Sequence, residues 1–135
     1  MRVSVFGPRK ITEDQATKVV AEIDTYISDL GYDQPTPLVF LTGGASGVQD
    51  VVYEEFSQDY DFIVFKPWTQ ISKRLEKQAL EGGSFDPVYF FFRNLQIIDN
   101  SDVVIVFDSG QKDAEVYKVL EVCQRKNKKV YKVEI

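Results

Sequence analysis

Residues 38–50, LVFLTGGASGVQD, join an apolar run to a loop with three glycines and two small residues within five positions. Glycine lets the backbone approach a ligand and adopt positive φ, and a helix start offers free N–H groups to an anion. The loop is neither a Walker loop, because no Gly-Lys-Ser/Thr follows, nor the spaced dinucleotide fingerprint. Taken alone, it favours a phosphate cradle and a plain strand-to-helix turn about equally.

Strand and helix patterns alternate on both sides of this loop. The runs LVFL, FIVF and VVIVF are continuously apolar, which is typical of strands buried on both faces. The alternation predicts an α/β fold, a Rossmann-like, open, mostly parallel five-stranded sheet with helices on both faces. Strands are expected at 3–6, 38–41, 61–65, 103–107 and 130–135, and helices at 12–30, 48–56, 87–98 and 114–126. No repeat or linker interrupts the pattern, so residues 1–135 are predicted to form a single domain.

The helix boundaries have local signals. Thr12 can cap the first helix, with Gln15 as the return half of a capping box, and Gly31 ends it. Pro87 suits the first turn of a later helix. Residues 66–86 are the least legible part, with a helical pattern over 71–80 and a Gly-rich loop at 81–84.

The helix that follows Pro87 is apolar on two faces. Phe91 and Phe92 lie on the predicted core stripe, whereas Phe90 and Ile97 lie on another face. A helix apolar on two faces is usually covered on both. A homodimer contact would cover the second face, and folding of residues 66–86 over it is the equally favoured alternative.

Composition excludes several classes of function. The net charge is -5, from 16 basic and 21 acidic residues, so no extended nucleic-acid or membrane surface is expected. Histidine is absent, which removes the usual general base, and no Cys/His metal site or Ser-His-Asp triad can form. The single cysteine, Cys123, is predicted to be a buried structural thiol. No cofactor is implied.

No apolar run is long enough to span a bilayer, and the N-terminus lacks a signal-peptide pattern. We therefore expect a soluble protein of the cytoplasm.

Three loops lie at predicted carboxyl ends of strands, namely residues 7–10 (GPRK), 43–47 (GGASG) and 108–112 (DSGQK). In open α/β sheets, ligands bind beyond these ends, near the point where strand order reverses. The three loops are therefore expected to line one cleft.

The segments MRVSVFGPRKIT, LTGGASGVQD and FRNLQIIDNSDVVIVFDSG resemble the SLOG superfamily, and most closely its small YspA-like proteins. Their order and spacing match across nearly the whole chain. The resemblance implies a Rossmann-like fold that binds a nucleotide or a nucleotide-derived ligand, as a sensor or a sequestering protein. More distantly it extends to the LOG enzymes, phosphoribohydrolases that cleave the N-glycosidic bond of nucleoside 5′-monophosphates.

The resemblance also implies ligand-binding positions. Arg93 could offer a bidentate fork to a phosphate or a ribose-bearing ligand; the alternative is a surface ion pair, which contributes little. The implied ligand-binding residues are Gly7, Arg9, Gly43, Gly44, Ala45, Ser46, Gly47, Arg93, Asn94, Gly110 and Lys112.

Two departures from the family pattern bear on the site. Many members have Asp where this chain has Gln49, and Lys112 and Asp113 replace a Gly-Thr pair that opens the last helix. Asp113 makes a good helix cap, but its carboxylate would compete with a phosphate for the same N–H groups. Lys112 could compensate with its side-chain charge. The site is therefore expected to be remodelled for another ligand or partly lost.

Catalysis is the second interpretation. LOG enzymes pair a glutamate with an arginine, and the aligned glutamate position falls on Val116, so Glu115 is expected one helical step, about 100°, away. Arg93 and Glu115 are the candidate catalytic pair, and the alternative for Glu115 is a solvated helix face. Asp99 and Asp102 are more simply a polar turn before a strand. A third interpretation is an interaction protein that has lost its ligand.

Overall fold

The computed structural model describes residues 1–31, 37–66 and 87–135. The predictions for residues 67–86 lie outside the described residues. No helix in the described ranges is both long and apolar enough to cross a bilayer. The elements are β1 (Arg2–Phe6), α1 (Glu13–Leu30), β2 (Val39–Thr42), α2 (Val48–Phe56), β3 (Asp61–Val64), α3 (Pro87–Asp99), β4 (Val103–Asp108), α4 (Ala114–Arg125) and β5 (Lys129–Glu134).

The strands of the described chain form one sheet in the order β3-β2-β1-β4-β5. Every neighbouring pair is parallel. The chain first steps outward from β1 to β3, then returns to the other side of β1 and steps outward again. The strand order therefore reverses between β1 and β4, which confirms the predicted Rossmann-like α/β architecture and fixes the place of its crevice.

Two apolar clusters occupy opposite faces of the sheet. The first contains Val19 and Ile23 of α1 together with Val52 and Phe56 of α2. The second contains residues of α3 and α4, among them Ile97, Ile98, Val116, Val119 and Cys123. Helices thus cover both faces, and Cys123 is a buried free thiol, which confirms the prediction for it.

Burial differs sharply between the central and the edge strands. All six residues of β4 are buried, because β4 has a strand on each side and a helix layer on each face. The expectation that FIVF is buried on both faces is wrong, since Ile63 and Val64 of β3 are 43% and 44% exposed. Among the described strands, β3 lies at the edge of the sheet and pairs with β2 alone, a position that a run of apolar residues does not reveal.

The predicted capping box opens α1. The Thr12 hydroxyl accepts a hydrogen bond from the Gln15 N–H at 3.1 Å, and the Gln15 side-chain oxygen accepts one from the Thr12 N–H at 2.9 Å. The helix ends at Gly31, which has φ 71°. Both boundary predictions for α1 are confirmed.

The apolar faces of α3 differ from the sequence prediction in two positions. Ile97 is fully buried in the second cluster, so it belongs to the core rather than to a separate face. Phe92, which the helical pattern assigns to the core stripe, is 38% exposed, whereas Phe91 packs against the second cluster. The homodimer contact through this helix stays a prediction.

Candidate functional site

A polar cluster lies at the carboxyl edge of the sheet, beside the reversal of strand order. Arg9 belongs to the loop after β1, Arg93 and Asn94 to α3, and Glu115 to the first turn of α4. Side-chain contacts join all four residues. These are the elements that flank β1 and β4, where an open α/β sheet offers its binding crevice.

Arg93 is the buried member of this cluster, with only 3% of its surface exposed. Its Nη1 donates to the Gly43 carbonyl at 3.4 Å, and its Nη2 donates to the Asn94 side-chain oxygen at 3.3 Å. A Cβ on Gly43 would lie 2.6 Å from the Arg93 Cζ and Nε. The first glycine of the GGASG loop therefore makes room for this guanidinium.

Glu115 binds three partners in the cluster. Its carboxylate accepts hydrogen bonds from Arg9 Nε at 2.9 Å and from Asn94 Nδ2 at 3.1 Å. Its Oε1 also lies 3.9 Å from Arg93 Nη2. The alternative of a solvated helix face for Glu115 is therefore wrong. The candidate pair Arg93 and Glu115 is brought together, although the family alignment displaces Glu115 by one helical step.

Phe90 brings the two arginines together. The Arg9 Cζ lies 4.9 Å from the centroid of this ring, and the Arg93 Cζ lies 5.1 Å from it. Guanidinium groups are attracted to aromatic faces at such distances. Phe90 belongs to the second apolar face that the sequence indicates on α3. In the structure, this residue contacts the two arginines of the site.

Charge and burial oppose each other at Glu115. Burial raises the pKa of the Glu115 carboxyl, but the hydrogen bonds from Arg9 and Asn94 and the charges of Arg9 and Arg93 lower it by more, so the net pKa is below its usual value. Burial also lowers the pKa of the Arg93 guanidinium, against the opposing effect of Glu115. Glu115 is therefore a carboxylate at neutral pH, and the cluster has a net positive charge.

The GGASG loop is held in place by internal contacts. Gly47 has φ 79°, and a Cβ there would lie 2.2 Å from the Pro8 carbonyl oxygen. The Val48 N–H donates to that same oxygen at 3.1 Å. The loop after β2 and the loop after β1 are thus packed together backbone to backbone, which only glycine allows at this position.

Gln49 has a structural role that sequence reasoning missed. It is 4% exposed, its Nε2 donates to the Val5 carbonyl at 2.9 Å, and its Oε1 accepts from the Ala45 N–H at 3.0 Å. An amide can do both, whereas the carboxylate of Asp has no donor. The departure from the family pattern at Gln49 therefore ties the loop to β1, and it does not by itself indicate loss of the site.

The two helix starts at this edge differ in their free N–H groups. At α4, the Asp113 carboxylate accepts from the N–H groups of Glu115 and Val116 at 3.0 and 3.2 Å, which confirms its capping role. At α2, Gly47 is the N-cap and has no side chain to cap the helix. The start of α2 is nevertheless not an open set of donors, because the Val48 N–H donates to the Pro8 carbonyl and Asp50 lies in the first turn.

The remaining predicted residues lie around this edge. Ser46, Gly110 and Lys112 are exposed, and the Gly110 N–H donates to Asp108 Oδ1 at 2.9 Å. Asp102 precedes β4 at the opposite edge, where its carboxylate accepts from the Arg2 N–H at 2.8 Å. No group of three His, Cys, Asp or Glu side chains in the described ranges could hold a metal ion.

Two glycines with nearly equal φ provide a test of the loop packing. A Cβ on Gly47 (φ 79°) would overlap backbone atoms, whereas a Cβ on Gly110 (φ 81°) would have nothing within 4 Å. Alanine at either position adds about 1–2 kcal/mol of positive-φ strain. We expect Gly47→Ala to lower the free energy of unfolding clearly more than Gly110→Ala, because it also displaces the loop after β1. Equal losses in urea unfolding would contradict this packing.

The lowered pKa of Glu115 predicts a pH-dependent stability difference. The stabilisation by its carboxylate is complete above the usual glutamate pKa of 4.5 and is lost as pH falls through the lower folded-state value. At pH 7, Glu115→Gln should therefore lower the free energy of unfolding by about 1–3 kcal/mol, because Arg9 and Arg93 lose their anionic partner.

Unfolding titrations of both proteins from pH 7 to pH 3 measure this difference. It should be constant near neutral pH and shrink below pH 4.5. Glu121→Gln is the matched control, because Glu121 pairs with Arg125 on the exposed face of the same helix. The pKa of Glu121 is also lowered by Arg125, but solvent screens this exposed pair, so its stability difference should be smaller than that of Glu115→Gln at every pH. A Glu115→Gln difference that does not change across this pH range would rule out the inferred pairing.

No protein-family model matches this chain, and a search of curated protein sequences finds no match. Membership of the SLOG superfamily therefore stays a prediction that rests on the motifs themselves.

Proposed function

We propose that this protein binds a nucleotide or a nucleotide-derived ligand in the crevice between β1 and β4, and that it senses or sequesters this ligand. The supporting observation is the position of the Arg9–Arg93–Glu115 cluster at the reversal of strand order. Two guanidinium groups surround one carboxylate there, in a chain whose net charge is -5. A local positive site on an acidic protein favours an anionic small molecule.

The two arginines would have different roles. The Arg9 side chain is 41% exposed and can reach a ligand, whereas the Arg93 side chain is 3% exposed. Arg93 would therefore position Asn94, Glu115 and the Gly43 carbonyl. Its positive charge would attract the bound anion without direct contact. The exposed Ser46 of the GGASG loop would supply a hydroxyl donor to a phosphate.

A thermal-shift screen of nucleoside mono-, di- and triphosphates tests the proposal. A ligand at about 100 times its Kd should add about 2.7 kcal/mol to the stability. Arg9→Gln should remove most of this gain, because it deletes the exposed cation. Gly43→Ala should also reduce the gain, because its methyl group would overlap the Arg93 guanidinium without changing any charge.

Arg125→Gln is the matched control, because Arg125 is an exposed arginine on the outer face of α4. It should leave the nucleotide-induced shift unchanged. If no nucleotide stabilises the folded protein, or if Arg9→Gln and Gly43→Ala both respond like wild type, the proposal fails and the ligand-free interaction protein becomes the better explanation.

The contact between Glu115 and the arginines favours a second candidate, a LOG-type hydrolase of nucleoside 5′-monophosphates. The lowered pKa of Glu115 keeps this side chain ionised at neutral pH. Such a carboxylate could accept a proton from an attacking water or stabilise the oxocarbenium-like transition state of N-glycosidic cleavage. Arg93 and Asn94 would hold this carboxylate in position.

Incubation with AMP, GMP, CMP and UMP tests this candidate, with the release of free base measured by chromatography. If the protein is a hydrolase, Glu115→Gln should lower the rate by at least about 100-fold. Glu121→Gln should retain the wild-type rate. Absence of base release by the folded wild-type protein, under conditions where a nucleotide is bound, would leave binding as the function and eliminate the hydrolase.

A further inference from the structure

An apolar groove separates α3 from α4 next to the polar cluster. Its volume is about 680 Å³, within the range of small-molecule sites, about 300–1,000 Å³. Along α3 it runs from Phe90 to Ile98, and along α4 from Ala114 to Val122. About eight residues of helix correspond to a length of about 12 Å, so the groove is long enough for a flat molecule of two fused rings.

The walls of the groove suit an aromatic body. Phe90 and Phe91 line one end, while Leu95, Ile98 and Val119 continue the apolar surface. Rings in such surroundings gain from apolar burial and from offset or edge contacts with the phenylalanines. Among the described lining residues, Arg9, Asn94 and Glu115 are polar but already bind one another in the polar cluster.

The charged residues at the groove favour an anion. Lys118 is exposed, its Nζ lies 5.7 Å from the centroid of the Phe91 ring, and it forms no ion pair with a described residue. Its acidic neighbours three positions away, Glu115 and Glu121, are already paired with Arg9 and Arg125. Arg9 and Lys118 are the cations among the described residues that line the groove. Arg9 already pairs with Glu115, so Lys118 is the one with no anionic side chain bound to it.

From this combination we propose that the groove between α3 and α4 binds a small aromatic carboxylate, with the ring system between the helices and the carboxylate at Lys118. Arg9, Asn94 and Glu115 line both this groove and the crevice of the proposed nucleotide ligand, but the proposal does not depend on that ligand, because the aromatic carboxylate pairs with a different cation, Lys118. An apolar body alone would be held by burial, and the ion pair with Lys118 adds the preference for a negative charge.

Calorimetric titration with 2-naphthoate and with its neutral analogue 2-naphthamide tests the proposal on the full chain. Wild type should bind 2-naphthoate about tenfold more tightly than the amide, as one charge-assisted contact of about 1.4 kcal/mol implies. Lys118→Gln should reduce the affinity for the carboxylate to that for the amide. Lys129→Gln is the matched control, because Lys129 also lies over an aromatic ring, that of Tyr131, but on the edge strand β5.

Methyl NMR spectra during the same titration locate the ligand. The methyl groups of Leu95, Ile98 and Val119 should shift, and Leu95→Trp, which fills the groove, should abolish binding of 2-naphthoate. The proposal is overturned if 2-naphthoate does not bind at millimolar concentration, if the amide binds equally well, or if Arg9→Gln rather than Lys118→Gln removes the preference for the carboxylate. If Leu95→Trp does not fold, the Lys118→Gln comparison and the methyl shifts decide the matter.

Discussion

The burial of one guanidinium governs the carboxyl edge of this sheet. Arg93 is 3% exposed and its Nε has no hydrogen-bond partner among the described residues, so its charge needs compensation from its surroundings. The Gly43 carbonyl, Asn94, the Phe90 ring and the Glu115 carboxylate provide it. The absence of a side chain at position 43 is a condition for this arrangement, so the loop glycine and the site arginine form one structural unit.

The glycines of the GGASG loop have packing roles. Gly43 accommodates Arg93, and Gly47 allows the loop to pack on the backbone of residues 8 and 9. Ala45 and Gln49 then tie it to β1. The loop is therefore a firmly held wall of the crevice, and it leads into the uncapped start of α2, whereas Asp113 occupies the start of α4.

The elements are well predicted from the sequence because apolar periodicity and capping chemistry are local. The strand order is not predicted from the sequence, whereas the parallel sheet, both ends of α1 and the cap at Asp113 all follow from such signals. The half-exposed state of β3 does not, since edge position depends on pairing partners, and the burial of Ile97 does not, since helix rotation depends on packing. The contact of Glu115 with Arg93 does not follow either, since one residue of loop length turns a helical side chain by about 100° and the sequence does not fix that length in space. The hydrogen bond of Gln49 to the Val5 carbonyl of β1 is not predicted either. The one signal for it in the sequence is the residue type, because an amide beside a Gly-rich loop can both donate and accept.

If the ligand binds in the crevice between β1 and β4, it must meet the exposed side chain of Arg9. The ¹H–¹⁵N signals of the arginine side chains measure this contact directly during titration with AMP. We expect the Arg9 Nε–H signal to move in a saturable manner, because this group must rearrange between Glu115 and the ligand, while the Arg125 signal stays in place. Saturable binding of AMP that leaves the Arg9 signal unchanged would contradict this role of Arg9.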